Sequence, residues 1–97
     1  MKTEAPAAAI VALLEEMAGQ QHRKLLVAAR SLVPRLTEDD LKNPDDFPIL
    51  HHDPRFNYED GVLAGLRAAA AAVRARLEDL RASGAPGVDR DEARRLG

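Results

Sequence analysis

Cysteine and tryptophan are absent from this sequence, and other aromatic side chains are scarce. Without cysteine the chain has no disulfide, no thiolate ligand for a metal ion and no thiol nucleophile. The apolar content is mostly Ala, Leu and Val, and the 97 residues suffice for one small domain. Because alanine buries little area, and burial stabilises by about 25 cal/mol per Å² of apolar surface, a core of these residues is weak. A chain of this kind often needs a second copy to bury enough surface.

A strong charge of one sign is also missing. The formal net charge is −2, whereas a general nucleic-acid binder is clearly basic. The charge balance therefore argues against nucleic acid and against an anionic membrane surface as partners. No apolar run approaches the ~20 residues of a membrane span, and Glu15 and Glu16 interrupt the apolar stretch near the start, which is not typical of a signal peptide. We expect a cytoplasmic protein without a cofactor.

The first long segment, about residues 5–33, has the spacing of an amphipathic helix. Pro6 suits its first turn, and Pro34 ends or kinks it because proline lacks a backbone donor and disfavours helical geometry in the preceding residue. One stripe, with steps of three and four, is Val11, Leu14, Ala18, Gln21, Leu25, Ala28 and Leu32. A second apolar stripe is Ile10, Leu13, Met17, Leu26, Val27 and Val33. A helix with so broad an apolar face contacts more than one neighbour, and Gln21 is expected to be buried and to set the register.

The middle of the chain, about residues 34–57, is punctuated by N-caps and prolines. Thr37 precedes three acidic residues, a pattern typical of an N-cap with an acidic first turn. The Asn-Pro pair at 43–44 and the Asp-Pro pair at 53–54 repeat the order of a cap followed by proline. These signals predict short helical turns, and no stretch alternates with period two, so no strand is predicted. The anchors of the turns are Leu41, Phe47, Ile49, Leu50 and Phe56.

A second long helix is predicted from about residue 58 to residue 83. Gly84 and Pro86 stop it in the order expected at a helix C-terminus. The cleanest heptad pattern of the chain runs through Leu63, Leu66, Ala70, Val73, Leu77 and Leu80. We therefore divide the chain into a helical domain at 1–83 and a polar, mobile tail at 84–97.

The predicted fold is all-α, with two long antiparallel helices joined by a connector with short helical turns. Helices of 25 to 30 residues are about 40 Å long. A hairpin of two such helices leaves an apolar flank of each in water, and two hairpins packed as a four-helix bundle would cover these flanks. We therefore predict a homodimer. Its predicted interface residues are Leu14, Leu25, Leu32, Leu63, Leu66, Val73, Leu77 and Leu80.

The stretch "HHDPRFNYEDG" at 51–61 is the one candidate site for chemistry. Its residues have two interpretations. In the first they only start the last helix, with Asn57 as N-cap and Asp60 reaching back to the Asn57 amide. In the second, imidazole and carboxylate groups bind a metal ion or small ligand, or act as acid and base. The residues of this predicted site are His51, His52, Asp53, Tyr58, Glu59 and Asp60.

Two further patterns lie on the last helix. Gly61 and Gly65 predict a close crossing by another helix or loop, because a glycine inside a helix costs roughly 1 kcal/mol relative to alanine. A ligand lying on the bare backbone is the alternative. Arg67, Arg74 and Arg81 recur every seven residues, and we expect them to pair with acidic side chains. A stripe that binds nucleic-acid phosphates is the alternative, and it lacks aromatic neighbours.

These patterns favour a non-enzymatic function. We expect a small interaction or regulatory protein that binds itself and a further protein. The alternative is a helical bundle that binds a metal or small ligand through residues 51–60, with an enzymatic role open.

Overall fold

The computed structural model describes residues 4–83, and every element in this range is helical. The elements are α1 (Glu4–Leu32), α2 (Glu38–Leu41), a 3-10 turn (Pro44–Asp46), α3 (Pro48–His51) and α4 (Pro54–Ala82). The two long helices have 29 residues each and pack against each other. We call the end that carries the short turns the connector end, and the other the open end. The predicted all-α hairpin is confirmed, and the predicted tail at 84–97 lies outside the described residues.

The first helix ends just before Pro34, as the sequence predicts. α1 stops at Leu32, and Val33 still donates its backbone N–H to the Ala29 carbonyl at 2.8 Å. Arg30, in the last turn, donates from Nε to the Leu36 carbonyl at 2.9 Å. A cation near a helix C-terminus is favourable, and here it also satisfies a carbonyl of the turn that follows. The chain therefore leaves α1 by a hydrogen-bonded turn.

The capping box at α2 is complete. Thr37 Oγ1 accepts a hydrogen bond from the Asp40 backbone N–H, and Asp40 Oδ2 accepts one from the Thr37 N–H, both at 3.0 Å. Two orphan donors of the helix start are thereby satisfied reciprocally. The predicted N-cap at Thr37 is confirmed, and the short helix that it opens places Leu41 in the core.

The start of α4 differs from the prediction. Asp53 is the N-cap, because its Oδ2 accepts a hydrogen bond from the Phe56 backbone N–H at 2.7 Å and Pro54 occupies the first helical turn. Asn57, predicted as the cap, lies inside the helix and donates from Nδ2 to the His51 carbonyl at 3.0 Å. The prediction was wrong because the Asp-Pro pair already provides a cap and a proline with a helical φ, so the helix begins four residues earlier.

The core lies at the connector end. Leu36, Leu50 and Phe56 are the largest fully buried side chains, and all three come from the connector or from the first turn of α4. They close over one end of the hairpin. The buried cluster as a whole consists of Leu25, Ala29, Leu36, Leu41, Leu50, Phe56 and Leu63.

Burial declines from the connector end towards the open end. On α4, Leu63 and the small Ala70 are buried, whereas Leu66, Val73 and Leu77 are half-buried and Leu80 is exposed. Among the residues predicted for a dimer interface, Leu25 and Leu63 belong to the core of the chain itself. Of the others, Leu80 is exposed and Leu32 packs against the core. Half-buried residues make up the rest of the set, namely Leu14, Leu66, Val73 and Leu77.

The predicted close crossing at Gly61 and Gly65 is wrong within the described part of the chain. A Cβ atom built at either position meets no other atom within 4 Å. Both residues are exposed on α4. A larger side chain would therefore fit at either position without a clash inside the described part of the chain.

The two glycines generate a stability prediction. Gly61→Ala and Gly65→Ala are each expected to raise the free energy of unfolding by about 0.5–1 kcal/mol, because alanine loses less backbone entropy in a helix and has room here. Urea denaturation measures the change. The reverse substitution at an exposed neighbour, Ala64→Gly, is the matched control and should lower the value by a similar amount. A loss of stability in the alanine variants would contradict the open surroundings of these positions.

Candidate functional site

The two adjacent histidines of the predicted site lie at the end of α3. His51 Nδ1 is 3.0 Å from Asp45 Oδ1, and both side chains are largely exposed. The rings of His51 and His52 are edge to face, with centroids 5.0 Å apart. An exposed pair of this kind contributes about 0–1 kcal/mol to stability. This contact ties the 3-10 turn to α3.

The other predicted site residues point in different directions. The Asp53 carboxylate accepts the hydrogen bond that caps the N-terminus of α4. Tyr58 and Asp60 are exposed, whereas Glu59 turns towards α1, as expected for neighbouring residues that lie about 100° apart around a helix. No group of three or more His, Cys, Asp or Glu side chains within residues 4–83 is arranged to hold a metal ion. Binding at residues 51–60 stays a prediction.

Glu59 has a structural partner in Gln21. The Gln21 side chain is only 6% exposed, and its Nε2 donates to the Glu59 carbonyl at 3.0 Å and to Glu59 Oε1 at 2.6 Å. Lys24 Nζ lies 3.9 Å from the same carboxylate oxygen. A buried amide must find partners, so this contact fixes the position of α1 along α4. The sequence indicated the burial of Gln21, because it is the single polar residue within an apolar stripe. Nothing in the sequence identified Glu59 as its partner.

A charged groove of about 650 Å³ runs along one side of the contact between α1 and α4. Arg74 pairs with Glu15 across it, and His22 Nε2 lies 2.7 Å from Glu38 Oε1, which links α1 to α2. The predicted pairing of the arginine stripe with acids is thus present at Arg74. The groove is lined by Glu15, Ala18, Gly19, His22, Arg23, Glu38, Arg67, Ala70 and Arg74. Its guanidinium groups suit carboxylate or phosphate oxygens, although ion pairs within the chain use part of that capacity.

Large apolar side chains are exposed along one stripe of α1. Ile10, Leu13 and Met17 are 53%, 55% and 40% exposed, and their spacing of three and four places them on one side of the helix. These three residues are the first half of the second apolar stripe of the sequence, whereas Leu26 and Val33 of that stripe pack against the core. Single exposed apolar residues are normal, but a contiguous row on one face is a feature of interaction surfaces.

The same side of the hairpin also exposes an apolar residue of α4. The α1 stripe continues through Lys24 and Val27, which line a smaller groove together with Arg55 of α4. Helical periodicity places Leu80 on the same side of α4 as Arg55, and Leu80 is 37% exposed. We call Ile10, Leu13, Met17 and Leu80 the apolar patch. It occupies the open end, on the side of the hairpin away from the charged groove.

The contact between Gln21 and Glu59 generates a second stability prediction. Gln21→Ala removes the amide donor and leaves the mostly covered Glu59 carboxylate without it, so the free energy of unfolding should fall by about 1–3 kcal/mol. Gln20→Ala, an exposed neighbour, is the matched control and should change it by less than about 0.5 kcal/mol. Chemical denaturation of the two variants measures the difference. Equal effects would show that the buried contact contributes nothing specific.

Comparisons with known proteins do not assign this geometry to a family. No protein-family model, no curated protein and no solved structure matches the chain significantly. Within residues 4–83, neither of the long helices is apolar enough over a sufficient length to cross a bilayer. A function for this chain has to be argued from its own surfaces.

Proposed function

We propose that this chain is a small helical interaction protein that associates with a second copy of itself through the apolar patch, giving a four-helix bundle. The observation that carries the proposal is the row of exposed side chains at Ile10, Leu13 and Met17. A second hairpin laid on this side would remove them from water, which is the main favourable term in protein association. A regulatory role in the cytoplasm is part of the proposal, and a further protein partner would meet the bundle after it has formed.

The open end carries four of the seven large apolar side chains that are exposed within residues 4–83. At the connector end the chain covers its own core with Leu36, Leu50 and Phe56. At the open end the structure describes only the two long helices, where Val73 and Leu77 are half-buried. Two helices in one layer cannot cover both flanks of each other, and a second layer is the usual solution in helical domains.

The alternative function at residues 51–60 has less support. Three of the six side chains already have roles in the fold: His51 contacts Asp45, Asp53 caps α4, and Glu59 binds Gln21. A binding site needs groups that converge on one point with free donors or acceptors. These side chains do not provide such a point, so the self-association proposal is the one we retain.

A charged substitution in the patch tests the proposal. Leu13→Glu would place a carboxylate in the buried interface, and its desolvation should weaken self-association by at least tenfold. Ile49→Glu is the matched control, because Ile49 is 53% exposed but lies at the connector end. Sedimentation velocity over a range of concentrations measures the dissociation constant of each variant. A wild-type chain that remains monomeric at millimolar concentration, or equal weakening in both variants, would contradict the proposal.

A further inference from the structure

We infer that the charged groove between α1 and α4 binds a small organic phosphate, held by the guanidinium groups of Arg23 and Arg67. The groove lies on the side of the hairpin away from the apolar patch, so this site is separate from the proposed self-association and neither requires the other. Its volume of about 650 Å³ is within the range of small-molecule sites, and it leaves room for an organic group beside the phosphate.

The two carboxylates of the groove already have basic partners within the chain. Arg74 pairs with Glu15 on the side of the open end, and His22 Nε2 lies 2.7 Å from Glu38 Oε1 on the side of the connector. With His22 neutral, three guanidinium groups line the groove against two carboxylates, which leaves an excess of one positive charge. The groove as a whole therefore attracts an anion.

Two of the three arginines in the groove have no partner among residues 4–83, and they are Arg23 and Arg67. The pairing with acids that is present at Arg74 is absent at Arg67, and the register explains why. Arg74 stands opposite Glu15, and seven residues further along each antiparallel helix Arg67 is level with His22. Because position 22 carries no acid, the five N–H donors of Arg67 stay available to a ligand.

The charged end of Arg23 also lies at this groove. A Cβ atom built on Gly19, one turn earlier on α1, would be 3.9 Å from Arg23 Nη1. Gly19 lines the charged groove and does not line the smaller groove, although the Arg23 side chain borders both. Arg23 and Arg67 therefore present their guanidinium groups to the same groove from different helices.

Small residues line the part of the groove between the two helices. They are Ala18 and Gly19 of α1 and Ala70 of α4, and Ala70 is only 5% exposed. Residues of this size leave the space between the helices unfilled, so a ligand can lie low in the groove. A ligand in that position is within reach of long side chains from both helices.

The presence of two available guanidinium groups favours a phosphate over a single carboxylate. One guanidinium already satisfies both oxygens of a carboxylate through a bidentate pair. A phosphate monoester carries a charge of about −1.5 to −2 at pH 7 and three strong acceptor oxygens, so it can bind two guanidinium groups at once.

The lining of the groove favours a small phosphate compound over a nucleic-acid strand. Proteins that bind single strands stack the bases on aromatic side chains, and no Phe, Tyr or Trp lines this groove. Because Arg23 and Arg67 are both exposed, water and salt compete with the ligand. We expect a dissociation constant of about 0.1–1 mM that rises with salt concentration.

A titration with glycerol 3-phosphate tests the site. Proton–nitrogen NMR spectra of the ¹⁵N-labelled full-length protein are recorded at constant ionic strength while the ligand concentration is raised. The backbone amide signals of Gly19 and Ala70 are expected to shift and to saturate, because both residues line the groove. The same titration gives the dissociation constant of each variant.

Substitution of single arginines distinguishes the groove from general attraction to a cationic surface. Arg23→Gln and Arg67→Gln should each weaken binding at least about tenfold, because each removes one of the two charged contacts. Arg67→Lys keeps the charge but loses the bidentate geometry, so its effect should be smaller. Arg55→Gln is the matched control, since Arg55 is exposed, lines only the smaller groove and has no partner among residues 4–83. It should change the dissociation constant by less than about twofold.

Three results would overturn the inference. The first is the absence of a saturable shift up to about 20 mM ligand, far above the expected dissociation constant. The second is equal weakening by Arg55→Gln and Arg67→Gln, which would indicate unspecific attraction of the anion. The third is tighter binding of a single-stranded oligothymidylate than of glycerol 3-phosphate, which would indicate nucleic acid as the ligand. None of these results bears on self-association, which sedimentation measures separately.

Discussion

The burial of Leu36, Leu50 and Phe56 against α1 and α4 is the contact on which the rest of the structure depends. Leu36 and Leu50 come from the segment that joins the long helices, and Phe56 comes from the first turn of α4, so the connector both links the helices and supplies part of the core. Because a fully buried Phe or Leu contributes several kcal/mol, this small cluster holds the two helices together at one end. The hairpin is consequently anchored at the connector end, and its open end depends on half-buried residues and a few polar contacts.

The Gln21–Glu59 hydrogen bonds give this anchored hairpin a fixed register. Alanine-rich helices offer few distinctive side chains, and a hairpin of such helices could slide or rotate at little cost. A buried amide that needs a specific acceptor penalises those alternatives. In this register Ile10, Leu13 and Met17 each keep 40% or more of their surface exposed, so packing against α4 does not bury them. The apolar patch is thus a consequence of the polar contact as well as of the sequence of α1.

Local signals predicted much of this fold, and tertiary packing decided the remainder. The spacing of apolar residues at steps of three and four predicted both long helices, and Thr37 with the acidic residues after it predicted α2. Both signals depend only on residues close together in the sequence. The start of α4 was missed because Asp53 and Asn57 are both suitable N-caps, and the proline after Asp53, which favours the earlier start, was assigned to a separate short turn. The α1 stripe that includes Leu14 and Leu25 was assigned to a dimer interface, whereas the connector covers Leu25; the sequence does not reveal over which end a connector will close.

The separation between core and patch has a functional consequence. The buried cluster at the connector end contains neither Ile10 nor Leu13, so we expect the chain to fold before it meets a partner. The proposed association through the open end would then be a binding equilibrium between folded hairpins and would depend on concentration. An obligate dimer, in contrast, shares one core between its chains and does not dissociate without unfolding. An interface between folded copies can exchange readily, so the proposed self-association would respond to protein concentration, a property that suits a regulatory role.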